Sequence, residues 1–293
     1  MITAERFSEP DTIYLYLTSK CNAACSFCSG HDRMLAADTP LSVQKGLLLE
    51  ALERYPNIVN FNWSGGEPLL AWNRLVELYG LIKEKRPNAR HTMVTNGIKL
   101  RRKHLEILRE FGNVNVSIDG FECGERPLRA FLKERAYEAF EVMKELGSLG
   151  IVSSWAVVRR DQLDDPLWWE DLALLHRSFY HYGMKCMNIQ IDKHMTKPLN
   201  SEQVDNLLAG LAELGEALER LNFNTGGDLR TMVERIFDTP CNECSKVLEI
   251  DSSGRMGQTP NTEVVIQGGC NELAKAIGVE AYTRLLAYFG ERR

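Results

Sequence analysis

The sequence has no run of 18 apolar residues, so it contains no candidate membrane-spanning helix. Residues 1–11, MITAERFSEPD, carry acids and lack the apolar centre of a secretory signal. Internal repeats and low-complexity tracts are missing, which excludes solenoids and disordered tails. An excess of basic charge is missing too. Thirty-five Lys and Arg stand against 40 Asp and Glu, a net charge of −5. That argues against a long phosphate-binding footprint, and with it against nucleic acid as a partner. These absences together favour a cytoplasmic protein without a membrane partner. What remains is a 293-residue chain, 44% hydrophobic and 26% charged, the balance of a globular protein.

Short β-rich runs recur at 13–17, 58–63, 91–95, 114–118, 154–158 and 187–191, with helical patterns between them at 41–54, 72–85, 103–111, 132–149 and 166–182. Ser42 is a weak candidate cap for the first helix, and Gly150 is a good stop after 132–149. Strands separated by helices imply a parallel sheet, because parallel strands need crossovers. Six units are too few for a closed eight-stranded barrel. Periodicity alone leaves a doubly wound sheet and a partial barrel both open. After residue 191 the pattern changes. A long amphipathic helix over 200–221, capped by Asn200 or Ser201, precedes a shorter one over 228–237, a turn-rich segment over 241–271 and a terminal helix over 273–289. A boundary near 195 divides the chain into a core, 1–195, and an extension, 196–293. The basic run 99–104 covers a helix start and reads as a solvated face.

Cysteine usage is informative. The eight cysteines are Cys21, Cys25, Cys28, Cys123, Cys186, Cys241, Cys244 and Cys270. Clustered cysteines without a secretory signal suggest metal or redox chemistry. Cys21, Cys25 and Cys28 follow the first strand directly, at the strand end where parallel α/β folds carry their chemistry. Three thiolates at this spacing can wrap one face of an iron–sulfur cube and leave one iron open, the mark of a catalytic site. A structural zinc with His31 as fourth ligand is the plainer alternative. The segment 63–68, Trp-Ser-Gly-Gly-Glu-Pro, follows the second strand at the same end of the sheet. Its glycines let backbone approach a ligand, and Pro68 stiffens the exit.

The CxxxCxFC motif and the GGEP turn together resemble the radical S-adenosylmethionine (SAM) superfamily over residues 11–192. The resemblance implies a partial (β/α)6 barrel, with a [4Fe–4S] cluster on Cys21, Cys25 and Cys28 whose open iron takes SAM. It implies that Gly65, Gly66 and Glu67 line the methionine amino group and that Phe27 lies against the adenine. Substituting Gly65 or Gly66 would then cost SAM affinity while the cluster stays. Asn96, in Thr-Asn-Gly at 95–97, and Ser117 and Asp119, in Ser-Ile-Asp-Gly at 117–120, sit at strand ends, where they could bond a ribose or carboxylate; turn chemistry is the plain reading. Cys123, just after that turn, is a candidate hydrogen-atom donor.

The Ser-x-Asp-Gly form is similar to the subgroup with a cysteine-rich C-terminal extension, called SPASM or Twitch. Cys241, Cys244 and Cys270 would serve a second, auxiliary [4Fe–4S] cluster, with Cys186, another residue or substrate as fourth ligand. Zinc, or an extension without metal, stands beside it. Thr259 occupies a position where a cysteine is expected. The implied chemistry is reductive cleavage of SAM to a 5′-deoxyadenosyl radical that takes a substrate hydrogen. The implied substrate is a ribosomally made peptide, with a small metabolite as alternative and a non-catalytic metal-binding protein as a further one. An electron donor such as flavodoxin or ferredoxin is required. The first strand starts about a dozen residues in, so the expectation is a separate peptide-recognition partner.

Overall fold

The computed structural model describes residues 10–28, 37–132, 136–182, 186–192, 199–219, 247–250 and 256–259. In chain order the regular elements are β1 (Thr12–Tyr16), α1 (Leu41–Arg54), β2 (Asn60–Ser64), α2 (Trp72–Lys85), β3 (Arg90–Thr95), α3 (Leu105–Leu108), β4 (Asn113–Ser117), α4 (Tyr137–Ser148), β5 (Val152–Val158), α5 (Trp168–His181), β6 (Cys186–Ile191), α6 (Ser201–Glu219), β7 (Val247–Ile250) and β8 (Met256–Thr259). All six expected strands form, shifted by no more than two residues at either end. The helix expected over 103–111 shortens to a 3₁₀ turn, Arg102–His104, followed by α3. Ser42 does not cap α1: Pro40 holds that position without a side-chain hydrogen bond. Asn200 does cap α6, exchanging two hydrogen bonds with Gln203. Gly150, at φ +74°, ends α4. The helices expected over 228–237 and 273–289 lie outside the described residues.

One sheet runs in the order β6-β5-β4-β3-β2-β1-β7-β8. β1 to β6 are parallel, each joined to the next through a helix, so the six β/α units form the partial barrel. β7 adds parallel to β1, and β8 pairs antiparallel with β7. Beyond residue 195 the chain therefore continues the sheet at its β1 edge.

Strands β2 and β4 alternate apolar and polar residues. Asn60-Phe-Asn-Trp-Ser64 and Asn113-Val-Asn-Val-Ser117 put apolar side chains on one face and polar ones on the other. Ile13, Leu15, Phe61, Trp63, Met93, Val114 and Val116 are buried on the helix side. Tyr14, Tyr16, Asn62, Ser64, Thr92, Asn115 and Ser117 face the interior and line a cavity. Parallel sheets covered on both faces read as continuous apolar runs. Here the second face borders open space, so polar side chains cost nothing there and the alternation survives.

Three histidines sit in the apolar layer, each 2% exposed. His91 stacks between Phe61 and Phe111, and its Nδ1 accepts from Trp63 Nε1 at 3.2 Å. His104 lies against Trp72 and accepts the Arg101 amide at Nδ1. It is buried, although it belongs to the basic run read as a solvated face. His176 is on α5. Burial pulls their pKa values down, to about 4, about 4 and about 3.

Candidate active site at the carboxyl end of the sheet

β1 runs into the cysteine loop, 17–28, and the loop is tied down before any ligand is considered. Thr18 Oγ1 and the Ser19 amide donate to Asp38 at 2.6 and 2.7 Å. The Ser26 amide and hydroxyl both donate to Glu125, which also accepts from Arg159 at 3.1 Å. The second tie comes from the glycine turn after β2. Gly66 N donates to Thr18 O at 2.7 Å, and Glu67 N to Lys20 O at 2.8 Å. A Cβ on Gly65 would stand 2.7 Å from Thr18 O, and one on Gly66 only 2.2 Å from Lys20 O. Gly65 also holds φ +133°. The glycines therefore make the turn dock on the cysteine loop. A substitution clashes with the Lys20 carbonyl, one residue before Cys21. The expected effect of a Gly65 or Gly66 substitution therefore extends from SAM affinity to the cysteine loop itself.

Cys21, Cys25 and Cys28 line one cavity of about 430 Å³, together with Phe27, Gly65, Gly66, Asn96 and Ser117. Burial pushes the Cys25 thiol up to about 11, against an opposing pull from Arg126. Cys21 is raised for the same first reason, burial. Thiols so placed release their protons to solvent when they ligate a metal cation, because the cation stabilises the thiolates. Asn96 Nδ2 donates to Asn22 Oδ1 at 2.9 Å and points at Cys21 Sγ at 3.8 Å.

The Glu67 carboxylate makes its hydrogen bonds within the protein. Its side chain is fully buried and does not line the cavity. The carboxylate accepts from Leu69 N at 3.0 Å, Thr95 Oγ1 at 2.6 Å and Asn96 N at 2.7 Å. It welds the β2 turn to the end of β3 and so positions Asn96. Burial raises its pKa, and the three hydrogen bonds pull the other way. Asp119 is likewise turned away from the cavity, 1% exposed. It accepts Arg126 Nε at 2.9 Å and Nη2 at 2.6 Å, with the amides of Arg126 and Val157. Arg126 lines the cavity in its place, with its guanidinium over the Phe27 ring at 4.9 Å. Losing Asp119 would leave Arg126 buried and unpaired. Asp119→Asn should weaken SAM binding at least about tenfold with iron content unchanged. Equilibrium dialysis of SAM checks this, and unchanged affinity would refute the coupling.

Cys123 is exposed and lines no described cavity; its amide donates to Asp171 at 3.1 Å. The hydrogen-donor role considered for it finds no support there. Cys186 opens β6, at the strand end opposite the cysteine loop. Cys241, Cys244, Cys270 and His31 lie outside the described residues. Sequence reasoning missed Arg126, Tyr14, Tyr16, Asn62, Thr92, Asn115, Trp155 and Asp192, which complete the cavity. The period-2 alternation of polar residues in β2 and β4 was the signal that pointed to several of them. Among the described lining residues Arg126 is the one side-chain cation and Asp192 the one carboxylate.

The residues around the three thiols have the chemistry to hold a metal cluster with a small ligand beside it. Three thiols converge on a cavity large enough for a small ligand, with a glycine backbone, an aromatic ring, an amide and a cation around it.

Among curated proteins none matches the sequence. Solved structures similar to the chain include Streptococcus suis SuiB bound to S-adenosylmethionine, with TM-score 0.58 and 14% identity over 87% of this chain. The chain spans 64% of the SuiB chain. SuiB is also solved bound to its precursor peptide SuiA. The structure of anSMEcpe with bound AdoMet and Cp18Cys peptide gives TM-score 0.66 and 15% identity, covering 96% of this chain and 97% of that one. At such identities the likeness is one of fold. Residues 15–168, just over half of the chain, match the Radical SAM superfamily. The chain belongs to the radical S-adenosylmethionine superfamily.

Proposed function

We propose that this protein is an enzyme that holds a [4Fe–4S] cluster through Cys21, Cys25 and Cys28, binds SAM in the adjoining cavity, and modifies a ribosomally made peptide. The observation that carries the reading is the convergence of the three thiols and the glycine turn on one cavity. When bound, the reduced cluster and SAM supply a 5′-deoxyadenosyl radical that removes a substrate hydrogen. The chain supplies the rest. Gly65 and Gly66 expose backbone, and Asn96 and Ser117 offer short polar groups. Arg126, braced by Asp119, offers a cation for a carboxylate, and Phe27 offers a ring face. The helix-covered sheet walls off water on the outer side.

The peptide assignment rests on the fold shared with SuiB and anSMEcpe, both solved with peptides. The polar inner face suits a substrate read by neutral hydrogen bonds, which a peptide backbone provides and a polyhydroxylated metabolite would as well. We assign residues 1–195 to the barrel and 196–293 to an extension carrying an auxiliary [4Fe–4S] cluster on Cys241, Cys244 and Cys270. The β7–β8 pair just after Cys244 supports that assignment, because such extensions carry a strand–turn–strand there. An electron donor and a separate peptide-recognition protein complete the expected partners. No described helix is long and apolar enough to cross a membrane. Free thiols around a cluster suit a reducing cytoplasm.

The test is anaerobic. Reconstituted protein with SAM and dithionite should yield 5′-deoxyadenosine, and the Cys21/Cys25/Cys28 triple alanine variant should yield none. About four irons should remain in that variant if the auxiliary site is a cube. Stoichiometric zinc would replace the cube by a structural staple. Product from the triple variant would sink the catalytic reading. Deuterium passing from a labelled peptide into 5′-deoxyadenosine would establish the substrate class, and transfer only from a metabolite would overturn it.

A further inference from the structure

Glu125 touches the cysteine loop between two of its thiols. It accepts from the Ser26 amide at 2.7 Å and from the Ser26 hydroxyl, and Ser26 stands between Cys25 and Cys28. Glu125 and Cys25 also line one side cavity, of about 230 Å³. The segment that delivers this carboxylate is pinned. The amides of Phe121, Glu122 and Cys123 donate to Asp171 at 3.0, 2.8 and 3.1 Å, and Arg126 closes on Asp119 at 2.6 Å. The Glu125 side chain is 19% exposed, so water screens its charge only in part. The charge is also incompletely balanced. Arg159 gives Glu125 one N–H at 3.1 Å but spends two on Asp161, at 2.9 and 2.5 Å. Two carboxylates thus share one guanidinium. Burial opposes ionisation, yet Ser26 and Arg159 hold the Glu125 carboxyl below the usual carboxylate range.

We propose that Glu125 is a positioning residue that keeps the reduction potential of the cysteine-loop cluster low. It does so by fixing a negative charge on Ser26 and by holding the two donors that Ser26 could otherwise turn toward sulfur. The inference rests on the cluster reading above. Cluster potentials follow net charge and hydrogen bonds to the sulfurs, so partners beyond the ligands tune them. Both kinds of neighbour occur in this loop. The Ala23 amide donates to Cys21 Sγ at 3.4 Å, a bond that favours the added electron. The Ser26 amide is spent on a carboxylate instead, and a fixed anion opposes that electron. In the reduction an external one-electron reductant loses the electron and the cluster gains it; no bond forms or breaks. A cluster held at low potential is the stronger donor to SAM. Arg159 acts with the opposite sign, because it damps the charge of Glu125.

The readout is a midpoint potential rather than turnover. The reconstituted intact protein is titrated with dithionite, and the reduced state is followed by electron paramagnetic resonance. The signal that changes when SAM is added belongs to the cysteine-loop cluster, which separates it from any auxiliary one. Glu125→Gln should favour reduction about tenfold, a rise of about 59 mV for a one-electron couple. Glu125→Asp keeps the charge and should stay within about threefold of the parent. Arg159→Gln leaves the Ser26 bonds in place and unmasks the carboxylate, so it should disfavour reduction by about threefold. Opposite shifts mark a charge effect, because a loop that has merely loosened would drift the same way in both variants. If Glu125→Gln fails to hold iron, the sign of the Arg159→Gln shift still decides. Midpoints equal to the parent's in both variants, or shifts of the same sign, would overturn the proposal. A parent that takes up no iron would instead sink the cluster reading.

Discussion

Gly66→Val is expected to remove iron and SAM cleavage together, as Cys25→Ala would, although glycine ligates nothing. The added Cβ would sit 2.2 Å from Lys20 O, 2.6 Å from Lys20 C and 2.8 Å from Ser19 O. All three are backbone atoms, so no side chain can swing aside. Relief comes only by parting the two loops, which breaks the bonds from Gly66 N to Thr18 O and from Glu67 N to Lys20 O. Lys20 precedes Cys21, so the thiols move with it. A displacement near 1 Å costs about 100-fold in rate even when every group survives. Iron at the first site should fall from about four per chain towards none. Gly46→Ala is the control: its Cβ meets nothing within 4 Å, and in the middle of α1 alanine should gain about 0.5–1 kcal/mol. A Gly66→Val protein that retains full iron and loses only SAM affinity would return the glycines to the methionine site alone.

Acid should unfold this protein well above the range where carboxylates titrate. His91, His104 and His176 are held neutral in the fold, with pKa values near 4, 4 and 3 against 6.5 unfolded. A depressed folded pKa means that the unfolded chain binds protons first as pH falls. The stability is therefore present above pH 6.5 and is lost progressively below it, down to the folded values. At pH 5 each histidine costs about 2 kcal/mol, so three cost about 6 kcal/mol, comparable with the whole stability of many domains. The geometry agrees with the sign. His91 and His104 accept hydrogen bonds at Nδ1, which an imidazolium cannot do. Urea midpoints between pH 7.5 and 5 should drop with an uptake approaching three protons, and His176→Leu should remove one of them. A flat profile, or an unchanged slope in that variant, would contradict the assignment.

The cysteine and glycine motifs were legible because each is a local string whose spacing already carries its chemistry. Roles that depend on partners far along the chain were not. Glu67 sits inside the recognised motif, yet Thr95 and Asn96 decide what its carboxylate does. Asp119 reads as a strand-end ligand until Arg126, seven residues on, takes both its oxygens. His104 reads as one member of a basic run, and Trp72 buries it.

By itself the sequence determined the six β/α units, their parallel order and the end of the sheet where chemistry gathers, because strand period, helix period and turn residues are local properties. It also allowed three thiolates to share one ligand, since a loop over residues 21–28 is short enough to wrap a single group. Only the tertiary structure decided which polar side chains see the cavity. A parallel sheet that never closes leaves its inner face open, and that openness turns the alternating Asn, Ser, Thr and Tyr residues into a lining. Only the packed loops decided that the glycines of the β2 turn serve the cysteines, because that contact joins residues 18–20 to 65–67 across a gap of more than forty residues in the chain.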